Sequence, residues 1–237
     1  MSFIQCKNII KTYGQGTSTV TALNKIDLSI ESGDFVSVMG ESGAGKSTLL
    51  SVMGAMNTPS SGHFLVDDID VYSLSSEQRA DFRREYLGFI FQSFHLVPYL
   101  TVMENVMLPL TTTKRSKRQK QAMAAEAMAW VGIEAKSDRL PHQISGGEME
   151  RTAIARAIVN NPPILLADEP TGNLDSKNSD AVISLLERLN RNGTTIVMVT
   201  HSSACAQHAR HRLTVRDGCL ETDARRQASA AFSNQAA

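Results

Sequence analysis

Eight residues constrain this chain more than any others. Gly40-Glu41-Ser42-Gly43-Ala44-Gly45-Lys46-Ser47 fills every fixed position of the Walker A pattern. It stands where that pattern must stand, between a short apolar strand, Asp34 to Met39, and a helix expected over Lys46 to Ala55. The glycines let the backbone curl around phosphate without Cβ clashes. The N–H groups of the loop and the positive end of the following helix bind phosphate anions. Lys46 reaches the β- and γ-phosphates, and the Ser47 hydroxyl is a natural Mg²⁺ ligand.

A second strand end carries matching chemistry. Ile164-Leu165-Leu166-Ala167-Asp168-Glu169 is an apolar strand that stops in two adjacent carboxylates, the Walker B arrangement. Asp168 would hold Mg²⁺, directly or through water, and Glu169 would polarise the attacking water as general base. Two carboxylates at the end of a buried strand are costly unless a cation or a site uses them. Alone the pair is a weak signal; downstream of Walker A it points to ATP chemistry.

The remaining pattern reads as one α/β unit with a helical insert. Phe3 to Ile9 and Val20 to Ile30 look like strands joined at Gly14 to Gly16, and His63 to Val66 and Ile69 to Val71 flank Asp67-Asp68 as a small hairpin. After a short strand, Leu87 to Phe91, helical patterns dominate: Thr101 to Leu108, Ser116 to Val131, and Ser145 to Asn160, stopped by Pro162-Pro163. Ile164 to Ala167 and Thr195 to Thr200 have the texture of strands buried on both faces, around a helix from Ser176 to Asn192 that Gly193 ends. A final strand, His211 to Arg216, turns at Asp217-Gly218.

Charge and composition narrow the function. Lys+Arg and Asp+Glu are both 24, a formal net charge of zero, which argues against the broad basic field of a general nucleic-acid binder. Apolar runs such as Ala127 to Val131 fall far short of the about 20 residues that a bilayer span needs. The N-terminus has no apolar signal region. Cys6, Cys205 and Cys219 have no metal spacing and read as reduced thiols of a cytosolic protein. One segment is locally basic: Lys114, Arg115, Lys117, Arg118 and Lys120. It reads as the solvated start of a helix, with anionic lipid headgroups or a polar partner loop as the functional alternative.

Ile144-Ser145-Gly146-Gly147-Glu148 opens the helix that ends near Asn160, and locally Ser145 and Glu148 form a capping box. Set between the two Walker motifs, these residues resemble the signature of the ABC ATPases, usually Leu-Ser-Gly-Gly-Gln. The resemblance runs from about residue 3 to 221 with its motifs in family order. It implies an α/β fold: a P-loop core of RecA type with an antiparallel β subdomain and a helical subdomain at about 92–160. These form one ATPase domain over 1–221, and 222–237 is read as a disordered tail. It further implies ATP and Mg²⁺ as ligands and a head-to-tail homodimer, each ATP lying between the Walker A of one cassette and the signature of the other.

Residue by residue, the resemblance implies a nucleotide loop of Gly40, Ser42, Gly43, Ala44, Gly45, Lys46, Ser47 and Thr48, with Tyr13 stacked on adenine. Ser145, Gly146 and Gly147 would contact the γ-phosphate across the dimer interface. Gln92 would sense Mg²⁺ and water and join Ser47 and Asp168 around the metal. Lys46, Gln92, Glu169 and His201 form the implied catalytic group, His201 as the switch histidine. Asn173-Leu174-Asp175 matches the D-loop. There are departures: Ile144 for Leu, Glu148 for Gln, Met149-Glu150 for Gln-Gln, and Ser202 for the Asp that often follows the histidine. None removes a principal catalytic group.

Leu166 to Asp175 and Phe91 to Thr101 are similar to the lipoprotein-release and macrolide-export group of the family. The chain stops at Ala237, so the stand-alone members are the expected parallel. The implied function is an ATPase subunit, peripheral on the cytoplasmic face of the inner membrane, that energises separate membrane permease subunits. A periplasmic adaptor is an optional further partner, and nucleic acid is not one. The alternative is an ATPase like the cell-division protein FtsE, signalling through a membrane partner without transport. Phe94, Leu96, Val97, Tyr99 and Leu100 are expected to line a groove for a cytoplasmic helix of that partner, to fill the helical core, or to do some of each.

Overall fold

The computed structural model of the chain describes residues 2–14 and 16–222. The tail expected over 222–237 therefore lies, beyond Thr222, outside the described residues. Strands β1 (Ile4–Tyr13) and β2 (Val20–Ile30) pair antiparallel, from Ile4 opposite Ile30 to Tyr13 opposite Val20. β3 (Phe35–Met39) runs into the glycine loop, and helix α1 (Lys46–Met53) leaves it. β4 (Ser61–Val66) and β5 (Ile69–Asp70) make the expected hairpin. Its turn residues Asp67 and Asp68 both take positive φ, 49° and 60°, the conformation whose twist suits a two-residue hairpin. β4 joins the free side of β1, giving a four-stranded sheet in the order β2-β1-β4-β5.

The rest of the chain builds a second sheet and its cover. Helix α2 (Ser76–Tyr86) leads into β6 (Leu87–Ile90). Three helices follow, α3 (Val102–Met107), α4 (Lys117–Val131) and α5 (Gly146–Ile158), and pack on one another. Then come β7 (Ile164–Asp168), α6 (Ser176–Arg191), β8 (Thr195–Val199), a short α7 (Ser203–Ala206), β9 (His211–Arg216) and β10 (Cys219–Thr222). The sheet order is β10-β9-β3-β8-β7-β6, parallel throughout except for β10 at one edge.

This sheet divides two cores, and the pleat assigns residues to each. Phe35, Leu165, Ala167, Ile196 and Met198 face the core made with α3 to α6. Val36, Val38, Ile164, Leu166, Val197 and Val199 face the core shared with α1 and the antiparallel sheet. Burial on both faces explains why β7 and β8 are continuous apolar runs. It also brings the carboxyl ends of β3 and β7 next to α1, beneath one opening.

One helix stands where none was expected, and three local expectations change. α2 carries no buried residue except Phe82, so its apolar periodicity is too thin to see, although Ser75 and Gln78 close a capping box at its start. His211–Arg216 is not the last strand, because β10 pairs back on it, Cys219 opposite Arg216. α1 stops at Met53, and Ala55 already has φ 52°. Val71 belongs to a 3-10 turn capped by Asp70 rather than to the hairpin.

Candidate nucleotide site

The glycine loop is held open from beneath by main chain. A Cβ at Gly40 (φ 153°) would run into the carbonyl of Val215, and one at Gly45 (φ 107°) into the carbonyl of Ala22. Only glycine fits at both positions. Gly45 stands at the N-cap of α1, so the unpaired N–H groups of the first helical turn open at the loop. Lys46 is buried, and its Nζ donates to the carbonyls of Gly40 and Glu41, each at 2.8 Å. The ammonium is thereby kept inside the loop rather than in solvent. Charged phosphate oxygens are stronger acceptors than these neutral carbonyls.

A cleft of about 510 Å³ opens over the loop. Gly40, Ser42, Gly43, Gly45, Lys46, Ser47 and Thr48 line it from one side, and Gln92, Asp168, Glu169 and His201 from the other. Four elements distant in sequence thus converge. Glu41 and Ala22 line it as well, and neither was among the expected binding residues. Glu41 lies inside the motif itself. Ala22 carries no local signal, since only the packing of β2 beneath Gly45 brings it there. Ala44 lies under the loop instead: it is buried, its N–H donates to Glu41 at 3.2 Å, and its carbonyl accepts from Gly218 at 3.0 Å.

The acidic end of β7 is electrostatically loaded. Burial pushes the Asp168 carboxyl above its ordinary range, and the neighbouring Glu169 charge adds to this; a Ser47 hydrogen bond and the Lys46 charge pull the other way. Oδ1 of Asp168 is buried with no hydrogen-bond partner among the described residues. An orphaned carboxylate oxygen beside a serine hydroxyl is a donor set of hard oxygens, which fits a Mg²⁺ ion that completes its shell with phosphate and water. Glu169 has φ 49°, its N–H donates to the Val199 carbonyl at 2.9 Å, and its carboxylate pairs with Nδ1 of His201. His201 is 69 % exposed. A carboxylate tied to an imidazole at the rim of a phosphate cleft can hold and orient a water molecule.

Two groups of expected residues lie outside this lining. Tyr13, at the end of β1, is 43 % exposed, and its hydroxyl accepts from Asn57. Ser145, Gly146 and Gly147 open α5, where Ser145 Oγ accepts from the Glu148 N–H at 3.4 Å and Glu148 Oε2 accepts from the Ser145 N–H at 2.8 Å. The capping box is therefore real. Glu148, where the family more often has Gln, also pairs with Lys136 at 3.2 Å. Its pKa is lowered first by the Ser145 N–H bond. Ser202 caps α7 by accepting from the Cys205 N–H, and Ile144 is buried in the helical core.

The basic segment is mostly solvated: Lys114, Arg115, Lys117 and Arg118 are exposed, and Lys120 donates to the Thr111 carbonyl. Phe94, Leu96, Val97 and Leu100 are half-buried and Tyr99 is 79 % exposed, so none belongs to the buried core. A groove of about 440 Å³ is lined instead by Phe89, Phe91, Leu108 and Pro109, with Arg83, Arg84 and Arg156 among its polar groups.

The family model described as "ABC transporter" matches residues 23–172. The chain is 46 % identical to the uncharacterized ABC transporter ATP-binding protein MJ1508 of Methanocaldococcus jannaschii, over 91 % of this chain and 96 % of that one. It is 43 % identical to the macrolide export ATP-binding/permease protein MacB of Syntrophobacter fumaroxidans, covering 94 % of this chain and 32 % of that larger protein. Among solved structures it matches the dimeric, post-hydrolysis state of the ATP-binding cassette MJ0796 bound to ADP and Pi, with a TM-score of 0.85 and 39 % identity, over 92 % of this chain and 98 % of that one. With the phosphate loop and the paired carboxylates assembled in one cleft, these likenesses settle the assignment: the chain belongs to the ABC transporter family, as an ATP-binding cassette that hydrolyses ATP.

Proposed function

We propose that this cassette works as a homodimer that energises a separate membrane permease, of the lipoprotein-release or macrolide-export kind. The observation that carries the catalytic part is the single cleft joining Lys46, Ser47, Gln92, Asp168, Glu169 and His201. Lys46 exchanges the carbonyls of Gly40 and Glu41 for the β- and γ-phosphate oxygens of ATP, while the loop amides and the start of α1 take the remaining charge. Ser47, Asp168 and Gln92 would hold Mg²⁺, which, when bound, neutralises charge building on the phosphates. Glu169 accepts the proton of the attacking water, and His201, its partner, holds the carboxylate in place and faces the γ-phosphate. Tyr13 offers its ring to adenine.

Ser145, Gly146 and Gly147 lie outside their own chain's cleft lining. This supports a second copy presenting them to the γ-phosphate, as does the dimeric form of the MJ0796 cassette. Membrane work is supported by the MacB likeness, in which cassette and permease share one chain. No helix among the described residues is long and apolar enough to cross a membrane, so the span would be supplied by the permease. The groove lined by Phe89, Phe91, Leu108 and Pro109, edged by arginines, is suited to a short amphipathic helix with acidic ends. An adaptor beyond the membrane completes the export reading.

Glu169→Gln tests the site. The variant should bind ATP, lose turnover by about a thousandfold or more, the scale on which general-base loss and misplaced water combine, and accumulate as an ATP-dependent dimer on gel filtration. Normal turnover would remove Glu169 as the base. The same variant, purified from membranes of cells co-expressing a candidate permease, should carry that permease with it.

A further inference from the structure

Residues 91–100 join β6 to α3 without helix or strand of their own. Within them Phe94 and His95 take consecutive positive φ, 57° and 47°, a conformation uncommon in any residue but glycine and visited mostly by single residues. Such a path persists only when its surroundings impose it. Three side chains from elsewhere hold it. Asn173, in the loop before α6, donates from Nδ2 to the Gln92 carbonyl at 2.7 Å. Arg156, on α5, donates from Nη2 to the Phe94 carbonyl at 2.6 Å and from Nη1 to the His95 carbonyl at 2.5 Å. Asn105, fully buried on α3, accepts from the Val97 N–H and donates to the carbonyls of Val97, Leu100 and Thr101.

Asn105 needs no function beyond satisfying a buried amide and the loop around it. Arg156 is different. Burial lowers its pKa, with the Glu150 charge opposing. A cation is drawn inward to grip two neutral carbonyls of a strained turn, charge-assisted bonds that a neutral donor would not match. The turn begins two residues after Gln92, whose amide lines the cleft. On the opposite side Gly172 leaves room for that amide: a Cβ there would stand 3.2 Å from Gln92 Nε2. Arg156 also lines the arginine-edged groove.

We propose that Arg156 is a positioning residue for Gln92: with Asn173 it clamps the main chain at the glutamine and just after it, and so sets where its amide stands in the cleft. The clamp reaches from the groove to the cleft, so an acidic group of a partner seated in the groove meets the same guanidinium that holds the turn. The proposal rests on the reading of Gln92 as a catalytic residue.

A double-mutant cycle on the purified full chain tests both, with ATP turnover followed by phosphate release. Gln92→Ala should lower kcat. Arg156→Lys keeps the charge but loses the fork; it should lower kcat by about ten- to a hundredfold, the cost of misplacing a reacting group by an ångström, with KM for ATP within twofold. In the Gln92→Ala background Arg156→Lys should cost nothing more, because its effect passes through Gln92. Asn173→Ala, at an exposed loop position, should repeat the pattern and keeps the test usable should the Arg156 variant not fold. Undiminished kcat in Gln92→Ala overturns the reading of Gln92 and the clamp with it. A lowered kcat in Gln92→Ala, joined to losses that multiply in the double variants, or to single clamp variants of normal kcat, overturns the clamp alone.

Discussion

Both carboxyl oxygens of Glu150 are buried on α5 with no hydrogen-bond partner among the described residues, and the residue is 1 % exposed. Burial pushes its pKa up from 4.5 to about 8, against a weaker pull from Arg156. Between those two values the folded chain keeps a proton that the unfolded chain releases, so the contribution of this residue to stability falls as pH rises through the window. Glu150→Gln cannot ionise. It should melt above the parent at pH 8, with the gap closing toward pH 5, each kcal/mol being worth about 2–4 °C in a chain of this size. A gap that is constant with pH in thermal melts would show that Glu150 does not titrate in this range. This burial was only half legible in the sequence. Gly147, Glu150 and Ile154 fall at helical spacing on one buried face, but a carboxylate argues for the solvent side. The departures at Glu148 and Ser202 were visible as residues; their uses, a Lys136 ion pair and a helix cap, appear only with the neighbours in place.

Elements that carry their own chemistry were legible and those defined by neighbours were not. The helix starts at Ser116 and Ser145 are written locally as capping boxes, and α4 ends where Gly132 takes φ 70°. β10 is four residues long and exists because β9 offers it an edge. β6 was legible as the short strand Leu87 to Phe91, but its close approach to a helix was not: at Gly88 a Cβ would run into the Ala157 carbonyl of α5 and stand 3.0 Å from the side chains of Leu165 and Pro162. Gly88→Ala must therefore part β6 from α5 or bend one of them. It should cost about 1–3 kcal/mol, as overpacking does, read from urea unfolding. It should also weaken capture of a permease, because Gly88 and Ala157 both line the groove. Unchanged stability would mean that the helix can slide at no cost.

At the scale of the molecule, strand order was the hidden quantity. Parallel pairing leaves no turn between partners, so nothing local announces that β3 sits between β8 and β9. That order is nevertheless what sets Lys46 beside Asp168. The phosphate-binding half of the site was therefore legible as motifs, while its geometry waited on the sheet. The capped start of α5 stays outside its own chain's cleft lining, and this has a kinetic meaning. If two copies must meet for each turnover, the rate per molecule of the free cassette should climb with protein concentration and flatten only once dimers predominate. A rate per molecule that is flat from the most dilute sample upward would mean that single cassettes suffice. A permease that holds one cassette on each half turns that encounter into an intramolecular one, with an effective concentration on the order of millimolar. Tethering alone would then raise turnover, before any substrate is bound and without altering a single atom of the cleft.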